Sequence, residues 1–176
     1  GMGYLHFVRS PYAHAKLGAI DVSAALELPG VYGTLTGDEV ATLTEPFFQI
    51  AAPPGAAVKD YALAVGKVRY VGDHVALVIA ETRDQAKDAA EMIGVDYEVL
   101  PAVADASLAR AKGAPVLHDA APDNTCYVWA LGDKAAADTA FAKAAHVTKL
   151  EFINNRLIPN AIEPRAAIGS YSRSEG

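Results

Sequence analysis

Two polar side chains near the start of the chain have the types that nucleophilic catalysis uses. In RSPYAHA, Ser10 and His14 supply a hydroxyl and an imidazole, the groups of a nucleophile and its general base. Pro11 forces a turn between them, and the glycine-flanked serine of α/β hydrolases is absent from this stretch. We therefore interpret both residues as structural.

Metal-ligating residues are scattered along the chain. The five histidines form no H-x-x-x-H pair, so the sequence predicts no local zinc site: His6, His14, His74, His118 and His146. The single cysteine excludes an internal disulfide, and Cys126 lies in the apolar stretch TCYVWAL, which predicts a buried structural thiol. The sequence thus predicts no catalytic, cofactor-binding or metal-binding residue among these side chains.

The most unusual polar set lies in FINNRLIPNAIEPRAAIGSY. Arg156, Glu163 and Arg165 interrupt apolar residues there, and their charges would be costly to bury without partners. We expect them to pair and to fix the backbone as an ion-pair corner; the alternative is that they form the wall of a pocket. They are the candidate site residues of this sequence.

A glycine turn in VRYVGDHVALVIAETRDQAKDAA resembles those that hold nucleotide phosphates. Phosphate-binding turns need several glycines between a strand and a helix. Here Gly72 stands alone and joins a strand to a strand, and the helix that follows begins with Glu81 and Asp84 where an anion would sit. The sequence contains neither G-x-G-x-x-G nor G-x-x-x-x-G-K-[ST], so we interpret the turn as structural.

The elements around these residues predict an α+β fold. Alternating apolar residues predict strands over 4–10 and 16–22, and a further strand is predicted in VYGTLTG. A short helix is predicted to begin near Ser23. The stretch from Val68 is typical of a β-turn-β-α-β unit that ends in the strand VDYEVLP.

Helix signals are strongest after residue 81. Thr82 and Gln85 predict a capping box, and Gly94 is expected to close the helix. Between them, small apolar residues at helical spacing predict close packing on a sheet: Ala86, Ala89, Ala90 and Ile93. A second helix is predicted near Asp133, with that residue as its cap, and HVTKLEFI from His146 is predicted to be a strand.

Composition limits the class of protein. With 176 residues, 52% hydrophobic and 20% charged, the chain is expected to be globular. Its net charge of −6 and its lack of a basic cluster argue against a nucleic-acid surface. No apolar run is long enough to cross a bilayer, and Gly1 before Met2 resembles a tag remnant, so we expect a cytoplasmic protein.

Five ordered motifs resemble one family. FVRSPYAHAKL, GVYGTLTGDEV, GKVRYVGDHVALVIAETRDQAKDAAEMIGVDYEVLPAV, GDKAAADTAFAKAAHV and NNRLIPNAIEPRAA are similar to segments of the molybdenum-binding large subunit of the xanthine dehydrogenase and aldehyde oxidase family. The carbon monoxide dehydrogenase-like large chains show the resemblance in particular. It implies an α/β hammerhead domain over residues 1–122 and the incomplete beginning of an α+β molybdopterin-binding domain over 123–176.

The resemblance also implies a cofactor and partners. Such large chains hold molybdenum as a molybdopterin cofactor, usually the cytosine dinucleotide in bacteria, and hydroxylate CO, an aldehyde or a heterocycle. Electrons pass through a [2Fe-2S] small subunit to an FAD medium subunit. The family's pterin-binding glycine-rich segments and its late catalytic glutamate match no residue of this chain, so we expect a scaffolding portion of an oxidoreductase that is inactive alone.

Two further expectations concern assembly. A freestanding, non-enzymatic binding or assembly module with the hammerhead fold is the alternative function. The C-terminal AAIGSYSRSEG is predicted to be a strand with an open edge, through which copies of the chain would associate.

Overall fold

The computed structural model describes residues 2–47, 58–155 and 157–174. The chain divides into two compact units, residues 1–130 and 131–176. The described residues of the first unit form six strands and three α-helices: β1 Tyr4–Arg9, β2 Ala15–Asp21, α1 Ser23–Leu26, β3 Val31–Thr36, α2 Gly37–Leu43, β4 Lys67–Val68, β5 His74–Ala80, α3 Arg83–Glu91 and β6 Gly94–Val99. The second contains α4 Lys134–Lys143. Within the described ranges, no helix is long and apolar enough to span a membrane.

The strands of the first unit form two antiparallel sheets of three strands each. One has the order β1-β5-β3 and the other β4-β2-β6. Alternating apolar residues predicted most of these strands, and the mixed helix and strand architecture confirms the predicted α+β class.

The central strand β5 is covered on both faces. Ala76 and Val78 pack with α1 and α3 on one face, and Leu77 packs with Val40 of α2 and Leu63 on the other. A strand with apolar neighbours on both faces needs no polar alternation, which explains the unbroken apolar run VALVIA.

Helix α3 packs as its small residues predict. The four residues of the predicted stripe are at most 9% exposed: Ala86, Ala89, Ala90 and Ile93. Thr82 accepts from the Gln85 amide at 3.2 Å, but the Gln85 side chain accepts from the Thr82 hydroxyl and donates to the Pro29 carbonyl instead of completing the box. Gly94 does not close the helix; α3 ends at Glu91, and Gly94 pairs with Asp21 in the sheet.

Helix α2 was not expected from the sequence. Gly37 resembled a bend at the end of a strand, yet it begins a helix whose capping box joins Thr36 and Glu39. The Glu39 carboxylate accepts from the Thr36 amide at 2.7 Å and from its hydroxyl at 2.9 Å. The T-x-x-E spacing was the signal available in the sequence.

In the second unit, described residues form one helix and no strand. Asp133 caps α4 as predicted, accepting from the Ala136 amide at 2.9 Å. The strand predicted from His146 and the C-terminal strand are absent from the described part of the unit, because a strand needs a partner for its backbone groups and none lies beside them. The predicted association of copies through this segment stays a prediction.

Candidate functional site

The loop after β1 buries the two side chains that resembled a catalytic pair. Ser10 is 2% exposed and His14 is 4% exposed. The Ser10 hydroxyl donates to the Tyr12 carbonyl and accepts from the Tyr12 amide, both at 3.0 Å. Its lone pair and proton are thus used by the turn that Pro11 introduces.

His14 is bound to a different segment. Its Nδ1 lies 2.7 Å from the Pro101 carbonyl oxygen, and its own carbonyl accepts from the Leu100 amide at 2.9 Å. A carbonyl only accepts, so Nδ1 carries the proton, and the buried Nε2 has no hydrogen-bond partner. Ser10 and His14 serve separate turns, and the arrangement provides no nucleophile with its base.

The glycine turn before β5 closes on the same loop. Gly72 has φ +91°, a conformation that favours glycine, and its amide donates to the Ser10 carbonyl at 2.8 Å. Arg9 Nη1 donates back to the Gly72 carbonyl at 3.1 Å, and the Ser10 amide donates to the Asp73 carbonyl. The turn binds its own chain and is structural.

Two titratable groups next to this turn have shifted pKa values. Burial and the nearby Arg9 guanidinium lower the pKa of His74, whose ring stacks on Phe7 with centroids 4.2 Å apart. Burial and the Asp73 carboxylate raise the pKa of Tyr70. Both shifts favour the neutral side chain.

A clamp of polar side chains holds residues 105–125 against the sheet edge of the same unit. Lys67 Nζ binds the two carboxylate oxygens of Asp119 at 2.8 and 3.0 Å, and hydrogen bonding from Lys67 lowers the pKa of Asp119. Arg69 Nε donates to the Leu117 carbonyl at 3.0 Å. Both cations therefore bind the segment from the edge of the sheet, at and just after β4.

Asn124 completes this clamp. Its Nδ2 donates to the carbonyls of Ala109 and Pro115 at 2.8 Å, and its Oδ1 accepts from the Leu117 amide at 3.0 Å. Its φ of +56° lies in the left-handed region, which asparagine tolerates better than most residues. We define the clamp as Lys67, Arg69, Asp119 and Asn124. Sequence reasoning missed it, although the turn signal PDN was present.

The predicted site residues lie in the second unit. Glu163 and Arg165 are exposed, and neither belongs to an ion pair between described side chains. Arg156 lies outside the described residues. The ion-pair corner and the pocket wall both stay predictions.

The prediction that Cys126 is a buried thiol is wrong. Cys126 is exposed, because the apolar stretch around it forms no strand and has no layer covering it. Among the described residues, no three His, Cys, Asp or Glu side chains are placed to hold a metal ion.

The two sheets, with helices packed on the first, define the class of an α/β hammerhead domain. Residues 1–101 match the family described as aldehyde oxidase and xanthine dehydrogenase, a/b hammerhead domain. The chain belongs to this family, as the resemblance predicted.

Relatives extend the match along the whole chain. The carbon monoxide dehydrogenase large chain of Afipia carboxidovorans is 35% identical over 100% of this chain and 23% of its own. The nicotine 6-hydroxylase large subunit of Paenarthrobacter nicotinovorans is 35% identical over 98% of this chain and 21% of its own. The solved Cu,Mo-CO dehydrogenase superposes with a TM-score of 0.70 at 34% identity, covering 83% of this chain and 19% of that one. This chain spans less than a quarter of the length of these relatives.

The described residues present no buried set of free hydrogen-bond groups that marks a place for a molybdopterin cofactor. A pterin dinucleotide needs many converging hydrogen-bond groups. The buried, unpartnered side-chain atoms among described residues are single atoms of His14, His74 and Thr125, while the fold itself uses the groups of Ser10, Arg69 and Asn124. We derive no chemical step through such a group in this chain.

Proposed function

We propose that this chain is the N-terminal portion of the large subunit of a molybdenum hydroxylase, and that it acts as a scaffold without catalytic residues. The observation that carries the proposal is 35% identity along the whole chain to a carbon monoxide dehydrogenase large chain. That identity includes the second unit, beyond the residues that match the hammerhead family. The predicted domain boundary after residue 122 belongs to this proposal.

The surface of the second unit supports the scaffold role. No described residue from 131 to 174 is buried. Large apolar side chains are nonetheless exposed along the unit: Leu131, Phe141, Val147, Leu150, Phe152, Ile153, Leu157, Ile158, Ile162, Ile168 and Tyr171. Exposed apolar surface of this extent marks an interaction site. We propose that it packs on molybdopterin-binding domains of the parent large subunit.

The cofactor and the partners belong to the whole enzyme. We propose that the parent protein holds molybdenum as the molybdopterin cytosine dinucleotide and works in the cytoplasm on a small-molecule substrate. Its large subunit would assemble with a [2Fe-2S] small subunit and an FAD medium subunit. Relatives named as large chains or large subunits support the existence of further subunits.

Two measurements test the proposal. The first is the reading frame after Gly176, which should continue through further domains. The second is molybdenum per chain, by elemental analysis, in the 176-residue chain and in the full large subunit expressed with its partners. We expect molybdenum only in the latter. A stop codon just after Gly176 would support the freestanding binding or assembly module instead, and stoichiometric molybdenum on the short chain would contradict the scaffold role.

Glu163 and Arg165 can be tested in the full-length subunit. If they form an ion-pair corner with Arg156, Glu163→Gln should lower the yield of assembled subunit, whereas Glu151→Gln, at another exposed acid of the same unit, should not. Normal assembly of the Glu163 variant with reduced turnover would favour the pocket-wall role.

A further inference from the structure

We propose that Lys67, Arg69 and Asn124 are positioning residues, whose clamp fixes the point at which the chain leaves the hammerhead domain. The proposal rests on the proposed function, since a fixed exit matters when cofactor-binding domains follow. It concerns residues 105–125, which connect the last strand to the exposed stretch that begins at Cys126.

The segment has no sheet to hold it. Its described backbone bonds are short-range turns, such as Leu108 to Asp105, Ala121 to His118 and Asn124 to Ala121. Its one regular element is the 3-10 helix Ala106–Leu108. Such turns shape a segment locally but do not attach it to a neighbour, so its attachment depends on side chains.

The clamp makes that attachment from the sheet edge. β4 pairs with β2 on one side, and Lys67 and Arg69 extend from this two-residue strand and its end to Asp119 and to the Leu117 carbonyl. The Lys67 side chain is 19% exposed, against 50% for Lys16 in the surface pair Lys16–Glu98, whereas Asp119 is itself 79% exposed. Lys67 is thus held by the fold on its own side, and it binds an acid on the surface of the segment.

Asn124 connects the attached part of the segment to the point where the chain leaves the hammerhead domain, next to Cys126. By bonding Ala109, Pro115 and Leu117 together, it closes residues 109–124 into one loop, two positions before Cys126. Neither a glycine nor an alanine could replace it: glycine keeps the φ of +56° but loses all three bonds, and alanine loses the bonds and strains the backbone.

The unique cysteine provides the measurement. A nitroxide attached to Cys126 of the 176-residue chain reports the mobility of the exit by electron paramagnetic resonance. We expect Lys67→Met and Asn124→Gly to increase that mobility, whereas Lys16→Met, which removes the exposed pair on β2, should leave it unchanged. Lys67→Arg, which can still bind Asp119, should restore the restricted spectrum.

Hydrogen exchange distinguishes loosening of residues 105–125 from unfolding of the whole domain. In Asn124→Gly, the Leu117 amide loses its Oδ1 acceptor and should exchange about tenfold faster, the scale expected for losing one hydrogen bond. The amide of Val78, in the centre of β5, should not change. Equal label mobility in Lys67→Met and Lys16→Met would overturn the proposal.

The functional part of the inference needs the full-length subunit in its enzyme. There, Lys67→Met should lower molybdenum per chain while Lys67→Arg and Lys16→Met retain it. A freed exit with unchanged molybdenum content would show that the clamp is structural and would overturn the positioning role. A full-length chain that never binds molybdenum would count against the proposed function, and the label spectrum would still decide whether the clamp exists.

Discussion

Gly37 is required by packing at one point of the fold. A β-carbon built on it would lie 1.9 Å from the Ala64 carbonyl oxygen, well inside van der Waals contact. We predict that Gly37→Ala lowers the free energy of unfolding by about 1–3 kcal/mol, the usual cost of overpacking. Urea denaturation of the 176-residue chain measures this. Gly33→Ala is the control, since its β-carbon would meet nothing within 4 Å; equal losses in the two variants would contradict the explanation.

His74 makes stability depend on pH. Burial and Arg9 lower its pKa in the folded state from the ordinary 6.5, so the unfolded chain binds the proton more tightly. The free energy of unfolding should therefore be constant well above that value and should fall as the pH drops below it. Burial and Arg69 lower the pKa of His118 as well, which adds to the same trend.

Unfolding curves from about pH 8 to pH 5, a range that spans the ordinary histidine pKa, test this dependence. His74→Gln should reduce the slope of stability against pH, and a double variant that also carries His118→Gln should reduce it further. Stability that rises on acidification in this range would show that these two histidines do not govern it.

Among the elements, α4 depends most on its cap. None of its residues is buried, so tertiary packing within the described chain contributes little and local terms dominate. We predict that Asp133→Ala reduces helicity at residues 134–143, with a loss of about 1 kcal/mol of helix stability, while Asp133→Asn retains it. Carbon chemical shifts of these residues measure the population. Equal helicity in both variants would mean that the cap contributes nothing.

The elements that were predicted correctly are those whose structure follows from a local sequence pattern. The alanine stripe of α3 is a local pattern and forms a buried face, and the strand predicted from YLHFVRS is observed as β1, although burial along it does not alternate. The strand predicted from His146 depends on a partner that no local pattern supplies, and α2 was hidden because Gly37 is typical of a bend.

The clamp residues could not be assigned from sequence for the same physical reason. Lys67 and Asp119 are 52 positions apart, and only the fold brings them together. The candidate residues Glu163 and Arg165 were predicted from the cost of burying charge, yet they are exposed in this chain, so the condition that made them notable is not met here.

At the scale of the whole molecule, the first unit has a packed core, whereas no described residue of the second unit is buried. We predict that limited proteolysis cleaves first within residues 131–174 and leaves a resistant fragment that ends near residue 130. Mass spectrometry of a time course identifies the fragments. Equal resistance of both units would contradict the division, and protection of the second unit in the full-length subunit is expected if it packs there.

The order of the strands has a consequence for biosynthesis. The six strands and two sheets that the structure describes lie within the first 99 residues, so the hammerhead domain can complete its hydrogen bonding before residues after it are translated. If the apolar side chains of 131–174 pack on later domains, as proposed, they leave the ribosome before their binding surface exists. This stretch is then the part of the chain that a chaperone would be expected to bind during synthesis.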